Sequence, residues 1–139
     1  MVWFKEYTIP EIEKLSSQTL SEHIGIKVIE IGENFLKATM PVDNRTIQPA
    51  GILHGGASVV LAETLASVGA NLIIDPIKYA CVGLEINANH VSAGKFGEVE
   101  GISKVVHIGK STQIWETRIT QGERLVCLSR MTVAILKKT

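Results

Sequence analysis

The chain has 139 residues, 45% of them hydrophobic and 20% charged, with no net formal charge. That length suits one compact domain over residues 1–139 and argues against two, and the composition excludes disorder. The charge balance gives no field for nucleic acid or for an anionic membrane surface. Cys81 and Cys127 show neither metal-ligand spacing nor a disulfide framework, and their apolar neighbours mark them as small buried hydrophobes. Reduced cysteines, and a start without a basic region leading into an apolar run, point to the cytoplasm.

Thr8-Ile9-Pro10-Glu11 has the form of a capping box with proline in the first turn, opening a short amphipathic helix through Leu15. A second helical piece runs from Thr19 to Ile24, with Gly25 as its stop. His23, near its end, reads as a surface or capping residue. Trp3, Phe4 and Tyr7 form an aromatic group that packs on the core or borders a pocket. Ile26 to Ile31 and Phe35 to Pro41 read as a hairpin about the turn Gly32-Glu33-Asn34. Asp43 to Leu53 is a loop. A long helix follows over Gly55 to Ile74, closed by Asp75-Pro76. Its length approaches a membrane span, but Glu63 in mid-helix is costly in lipid, so it reads as a helix buried in protein. Tyr79 to Val91, Gly97 to Ile108, Ser111 to Gln121 and Leu125 to Leu136 are strands rich in Val, Ile and Thr, spaced as antiparallel neighbours. The order gives an α+β architecture, with an antiparallel sheet of about six strands wrapped around the central helix.

Between Arg45 and Asp75 only His54 and Glu63 titrate near physiological pH. His54-Gly55-Gly56 stands at the N-terminus of the long helix, where free N–H groups and the positive dipole end suit an anion or a developing oxyanion. Tight packing of the helix on the sheet explains the two glycines equally well. A carboxylate under apolar cover pays heavily for desolvation, which marks Glu63 as functional. The alternative is an exposed stripe of Glu63, Ser67 and Asn71 at i+4 spacing. His54 and Glu63 lie about 13 to 14 Å apart along the helix, too far to act on one small carbonyl. Two such helices packed antiparallel across a two-fold axis would meet that demand, with two sites per dimer.

The loop leading to His54-Gly55-Gly56, Glu63 within the helix, and strands carrying Asn87-Ala88-Asn89-His90 and His107-Ile108-Gly109-Lys110-Ser111-Thr112 resemble the hotdog-fold acyl-CoA thioesterases. The similarity is to the branch with the Arthrobacter-type 4-hydroxybenzoyl-CoA, dihydroxynaphthoyl-CoA and enterobactin proofreading enzymes, and it covers nearly the whole chain. The resemblance implies hydrolysis of an acyl-CoA, aromatic by preference, with coenzyme A as part of the substrate and neither cofactor nor metal. It makes Glu63 the nucleophile or general base and the Gly55 N–H the group that polarises the carbonyl. Gln48 and His54 position the substrate beside Gly55, and Ser67 accompanies Glu63 from the partner subunit. Val106, His107, Ile108, Gly109, Lys110 and Ser111 would hold the pantetheine and nucleotide; Asn89, His90, Val91 and Ser92 would line the same channel, touched by Val82. His90 and His107 are also compatible with purely structural roles. Relatives carry an arginine soon after the Asn-His pair, where this chain has Val91-Ser92-Ala93-Gly94-Lys95; Lys95 is the replacement charge, without arginine's bidentate geometry. Exposed strand faces would pair dimers further into a tetramer. Two other readings remain open: a dehydratase or hydratase of acyl thioesters, and a non-catalytic acyl-CoA binding domain.

Overall fold

The computed structural model describes all residues, Met1–Thr139. Helix α1 (Ile9–Ser16) begins at Thr8, whose side chain accepts from the Glu11 N–H while the Glu11 carboxylate accepts from the Thr8 N–H. These bonds and Lys5 pull the Glu11 carboxyl down to about 2. Helix α2 (Leu20–His23) ends at Gly25, which takes φ +80°. Strands β1 (Lys27–Ile31) and β2 (Phe35–Val42) pair as the expected hairpin. Helix α3 (Gly55–Ile73) follows a structured loop, and β3 (Tyr79–His90), β4 (Gly97–Ile108), β5 (Thr112–Gln121) and β6 (Arg124–Lys137) complete the chain.

All six strands form one antiparallel sheet in the order β1-β2-β4-β5-β6-β3. The expectation that β3 and β4 are neighbours is therefore corrected. β3 pairs along its whole length with β6 and stands at the sheet edge. The connector 91–96 crosses the ends of β6 and β5, about 14 Å at ordinary strand spacing, a distance that an extended segment of this length spans. Hydrogen bonds from the Val91 and Ser92 N–H groups to the Val126 carbonyl hold it over β6.

One face of the sheet packs on α3. Leu36, Ala38 and Met40 of β2, Trp115 and Ile119 of β5, and Met131 and Val133 of β6 point inward against Leu61, Leu65 and Ala70 of the helix. Side chains alternate faces along a strand, so this inward set follows from period-two patterning. Gly69 sits directly over Trp115, and a Cβ there would overlap the indole ring. Gln113 joins the two layers: its Oε1 accepts from Trp115 Nε1 at 2.9 Å and its Nε2 donates to the Ala70 carbonyl at 3.3 Å. Trp3 stacks near Trp115 with ring centroids 6.4 Å apart, so it belongs to the core, whereas Phe4 is exposed. By length and composition α3 also passes for a membrane-crossing helix; in this fold its apolar side is taken up by the sheet.

Candidate active site

The entry to α3 is built by a compact turn. The Gln48 N–H donates to the Ile52 carbonyl at 2.9 Å and the Gly51 N–H to the Gln48 carbonyl at 2.8 Å, a path that requires φ +80° at Gly51. The His54 N–H is held by the Thr46 carbonyl at 2.8 Å. His54 is the N-cap: its backbone is extended, and its Nδ1 accepts from the Gly56 N–H at 2.8 Å. An accepting Nδ1 carries no proton, so the neutral ring holds its proton on Nε2. The Ala57 and Ser58 N–H groups reach the His54 carbonyl. Among the first-turn amides this leaves the Gly55 N–H without a partner in the chain.

That free amide opens on a cavity of about 370 Å³, lined by Gln48, Gly55, Ser58, His90, Val91 and Ser92 together with apolar side chains. The crossing connector 91–96 forms one wall. The His90 imidazole lies against Gly55 so closely that a Cβ there would stand 2.8 Å from Nε2. Gly55 is therefore glycine because His90 occupies the space beside it. The Gln48 Oε1 accepts from the Ala50 N–H, which leaves the Gln48 amide nitrogen free to donate toward a ligand.

Glu63 is elsewhere. It lies farther along α3, about 12 Å from Gly55 at the helical rise, with its Oε1 3.1 Å from where a Cβ of Gly83 would stand. Gly83 adjoins a register shift in β3 before Glu85. The expectation that Glu63 is buried is corrected within one chain: it is exposed, because the sheet covers one side of α3 and Glu63 stands on the other. Ser67, one turn on, is half-buried. Asn71 ties the helix to the sheet edge: its Nδ2 donates to the Ser67 carbonyl at 2.9 Å and its Oδ1 accepts from the Cys81 N–H at 3.2 Å. Burial pushes the Cys81 thiol up to about 11 and raises Cys127 as well, so both stay unionised and unreactive near neutral pH.

The sites expected from the sequence thus fall into two groups at opposite ends of β3. Gln48, His54, Gly55, His90, Val91 and Ser92 gather at one end. Glu63 and Val82 lie toward the other, flanking Gly83, about 23 Å along the strand from His90. The β4–β5 turn sits at this second end, since Thr112 pairs with Ala134 and Ala134 with Val82. The Gly109 N–H closes the turn on the Thr112 carbonyl at 2.8 Å. Val106, His107, Ile108, Lys110 and Ser111 are exposed there.

Residues 50–128, from the turn before α3 into β6, match the sequence profile of the thioesterase superfamily. The chain belongs to the thioesterase superfamily. It is a thioester hydrolase of the hotdog fold, as its relatives and structural neighbours are named. It is 44% identical over 137 residues to the 1,4-dihydroxy-2-naphthoyl-CoA hydrolase of Escherichia coli, covering 98% of this chain and 100% of that one. It is 43% identical to the proofreading thioesterase of Cronobacter turicensis, over 98% of this chain and 99% of the other. A mutant thioesterase from Pseudomonas aeruginosa superposes with a TM-score of 0.97 at 35% identity, over 99% of this chain and 100% of that structure.

Two features of the thioesterase differ from the sequence reading. Asn89 does not share a channel with His90. The two point to opposite faces of β3, and Asn89 lines a separate cleft of about 280 Å³ with Asn87, Glu116 and Arg130. Arg130 and Glu116 form an ion pair of 3.1 Å there. The second difference is Arg124, which the sequence reading missed. Its Nη1 donates to Ser92 Oγ at 2.7 Å and to the Ala93 carbonyl at 2.5 Å, and its Nη2 to Gln121 Oε1 at 3.0 Å. A guanidinium thus reaches the 91–96 connector from the start of β6, whereas Lys95 meets Gln121 through its backbone. Only the sheet order brings Arg124 there, so no local signal could have found it.

Proposed function

We propose that this thioesterase hydrolyses aromatic acyl-CoA thioesters at sites shared between two copies of the chain. The observation that carries the reading is the separation of a free helix-terminal amide, at Gly55, from the exposed carboxylate of Glu63, with the unpaired edge of β3 between them. A long unpaired strand edge is a template for another strand, and exposed Val82 and Leu84 on β3 favour cover. Antiparallel pairing of two β3 edges about a two-fold axis between Ile86 and Asn87 sets Gly83 opposite the second copy's His90. Glu63, over Gly83, then faces the cavity at the second copy's Gly55.

In such a site the Gly55 N–H and the Gln48 amide donate to the thioester oxygen and stabilise the charge that develops on it. Glu63 takes a proton from water as the water oxygen bonds to the carbonyl carbon, or adds to that carbon itself. The C–S bond then breaks and the sulfur leaves as the thiolate of coenzyme A, which is protonated. When Glu63 adds directly, water hydrolyses the resulting anhydride. The exposed β4–β5 turn, with Lys110, would meet the nucleotide arm in this reading. The aromatic preference follows from the similarity to the naphthoyl-CoA hydrolase.

Purified protein given benzoyl-CoA, dihydroxynaphthoyl-CoA and fatty acyl-CoAs in parallel is expected to release thiol fastest from the aromatic pair. Equal or faster release from fatty acyl-CoAs would overturn the aromatic assignment, and no thiol from any of them would overturn the whole reading.

A further inference from the structure

We infer that the Ser58 hydroxyl is a further hydrogen-bond donor to the thioester carbonyl, a third beside the Gly55 N–H and the Gln48 amide; this rests on the proposed placement of the carbonyl at Gly55. Ser58 is 1% exposed and lines the same cavity as Gly55. A serine inside a helix ordinarily satisfies its hydroxyl on the carbonyl one turn back. Here the His54 carbonyl accepts from the Ala57 and Ser58 N–H groups, and Ser58 Oγ makes no hydrogen bond to any group of the chain. No fully enclosed polar side-chain atom lacks a partner, so this hydroxyl is not sealed in the core. Its sliver of exposure opens on the cavity that the residue lines. Side chains on a helix tilt toward its N-terminus, and residues i and i+3 share a face. Ser58 therefore leans toward the turn that presents the Gly55 amide. Most of the remaining wall, including Ile52, Leu53 and Val126, is apolar. Water in the cavity can serve this hydroxyl in the free protein, and a ligand oxygen held at the Gly55 amide would take that water's place as acceptor.

The test compares Ser58→Ala and Ser58→Thr with the natural protein on the aromatic acyl-CoA it hydrolyses fastest. With one carbonyl donor removed, Ser58→Ala is expected to lose about 100-fold in kcat, with KM little changed and a thermal midpoint unchanged or higher. Ser58→Thr keeps the hydroxyl and is expected to recover most of that loss. Natural kcat in Ser58→Ala would overturn the inference. Equal losses in both variants, or a loss in Ser58→Ala matched by a lower midpoint, would overturn it as well, because the hydroxyl would then not be the cause. A natural protein that releases no thiol from any acyl-CoA would remove the carbonyl itself, and the placement at Gly55 with it.

Discussion

Glu63→Gln is expected to lower kcat by about 1,000-fold, the scale of a lost general base or nucleophile, while the protein folds and binds acyl-CoA as before. The carboxylate makes no ion pair and no hydrogen bond within the chain, so the fold does not depend on its charge. The amide has nearly the same shape but neither takes a proton from water nor adds to a carbonyl carbon. In the proposed site the binding contacts are elsewhere, at the α3 entry and the β4–β5 turn, so KM is expected to move far less than kcat. Turnover equal to that of the natural protein would remove Glu63 from the reaction.

Trp115→Ala is expected to cost about 3 to 5 kcal/mol of stability, the range for truncating a fully buried large aromatic side chain. The residue is 0% exposed. Its ring supports α3 at Gly69, stacks near Trp3, and gives its N–H to Gln113, which in turn holds the Ala70 carbonyl. Truncation leaves a cavity beneath the helix and a buried amide oxygen without its donor, and both add to the lost transfer energy. Against the usual 5 to 15 kcal/mol of a folded domain, roughly a third of the total would go. The urea midpoint reports the change, and a shift below about 1 kcal/mol would contradict the role given to the indole. Because α3 carries both Gly55 and Glu63, loosening it is expected to lower turnover together with stability.

Much of this architecture is legible in local patterns. The capping box at Thr8 and Glu11, the glycine stop at Gly25 and the breaker Asp75-Pro76 each act within one turn of chain. They mark helix ends almost where the structure has them. Strand content is equally plain, since β2 and β5 alternate inward and outward residues along their length. Sheet order is another matter. The connector 91–96 has the length of a hairpin link yet crosses two strand ends, and only the pairing of β3 with β6 shows why. Arg124 and the separate faces of Asn89 and His90 depend on that order and register. Glu63 misleads because α3 is apolar nearly all round, which implies full cover, whereas one chain has only one sheet to supply it. The proposal of a second helix completing the site rests on the His54–Glu63 spacing, which the sequence alone supplies because helical rise is a constant.

The sharing of each site between two copies is tested most directly by mixing two inactive variants. Glu63→Gln lacks the carboxylate. Gly55→Pro lacks the N–H, proline suits a first helical position that follows an extended His54, and His90→Ala in the same chain clears the space that the added Cβ needs. Unfolded together in equal amounts and refolded, half of the pairs would be mixed. Each mixed pair would hold one site with both Glu63 and the Gly55 N–H intact, so about a quarter of natural activity is expected to return. A mixture as inactive as its components, with mixed pairs shown to be present by mass, would place Glu63 and Gly55 in separate reactions and contradict the shared site.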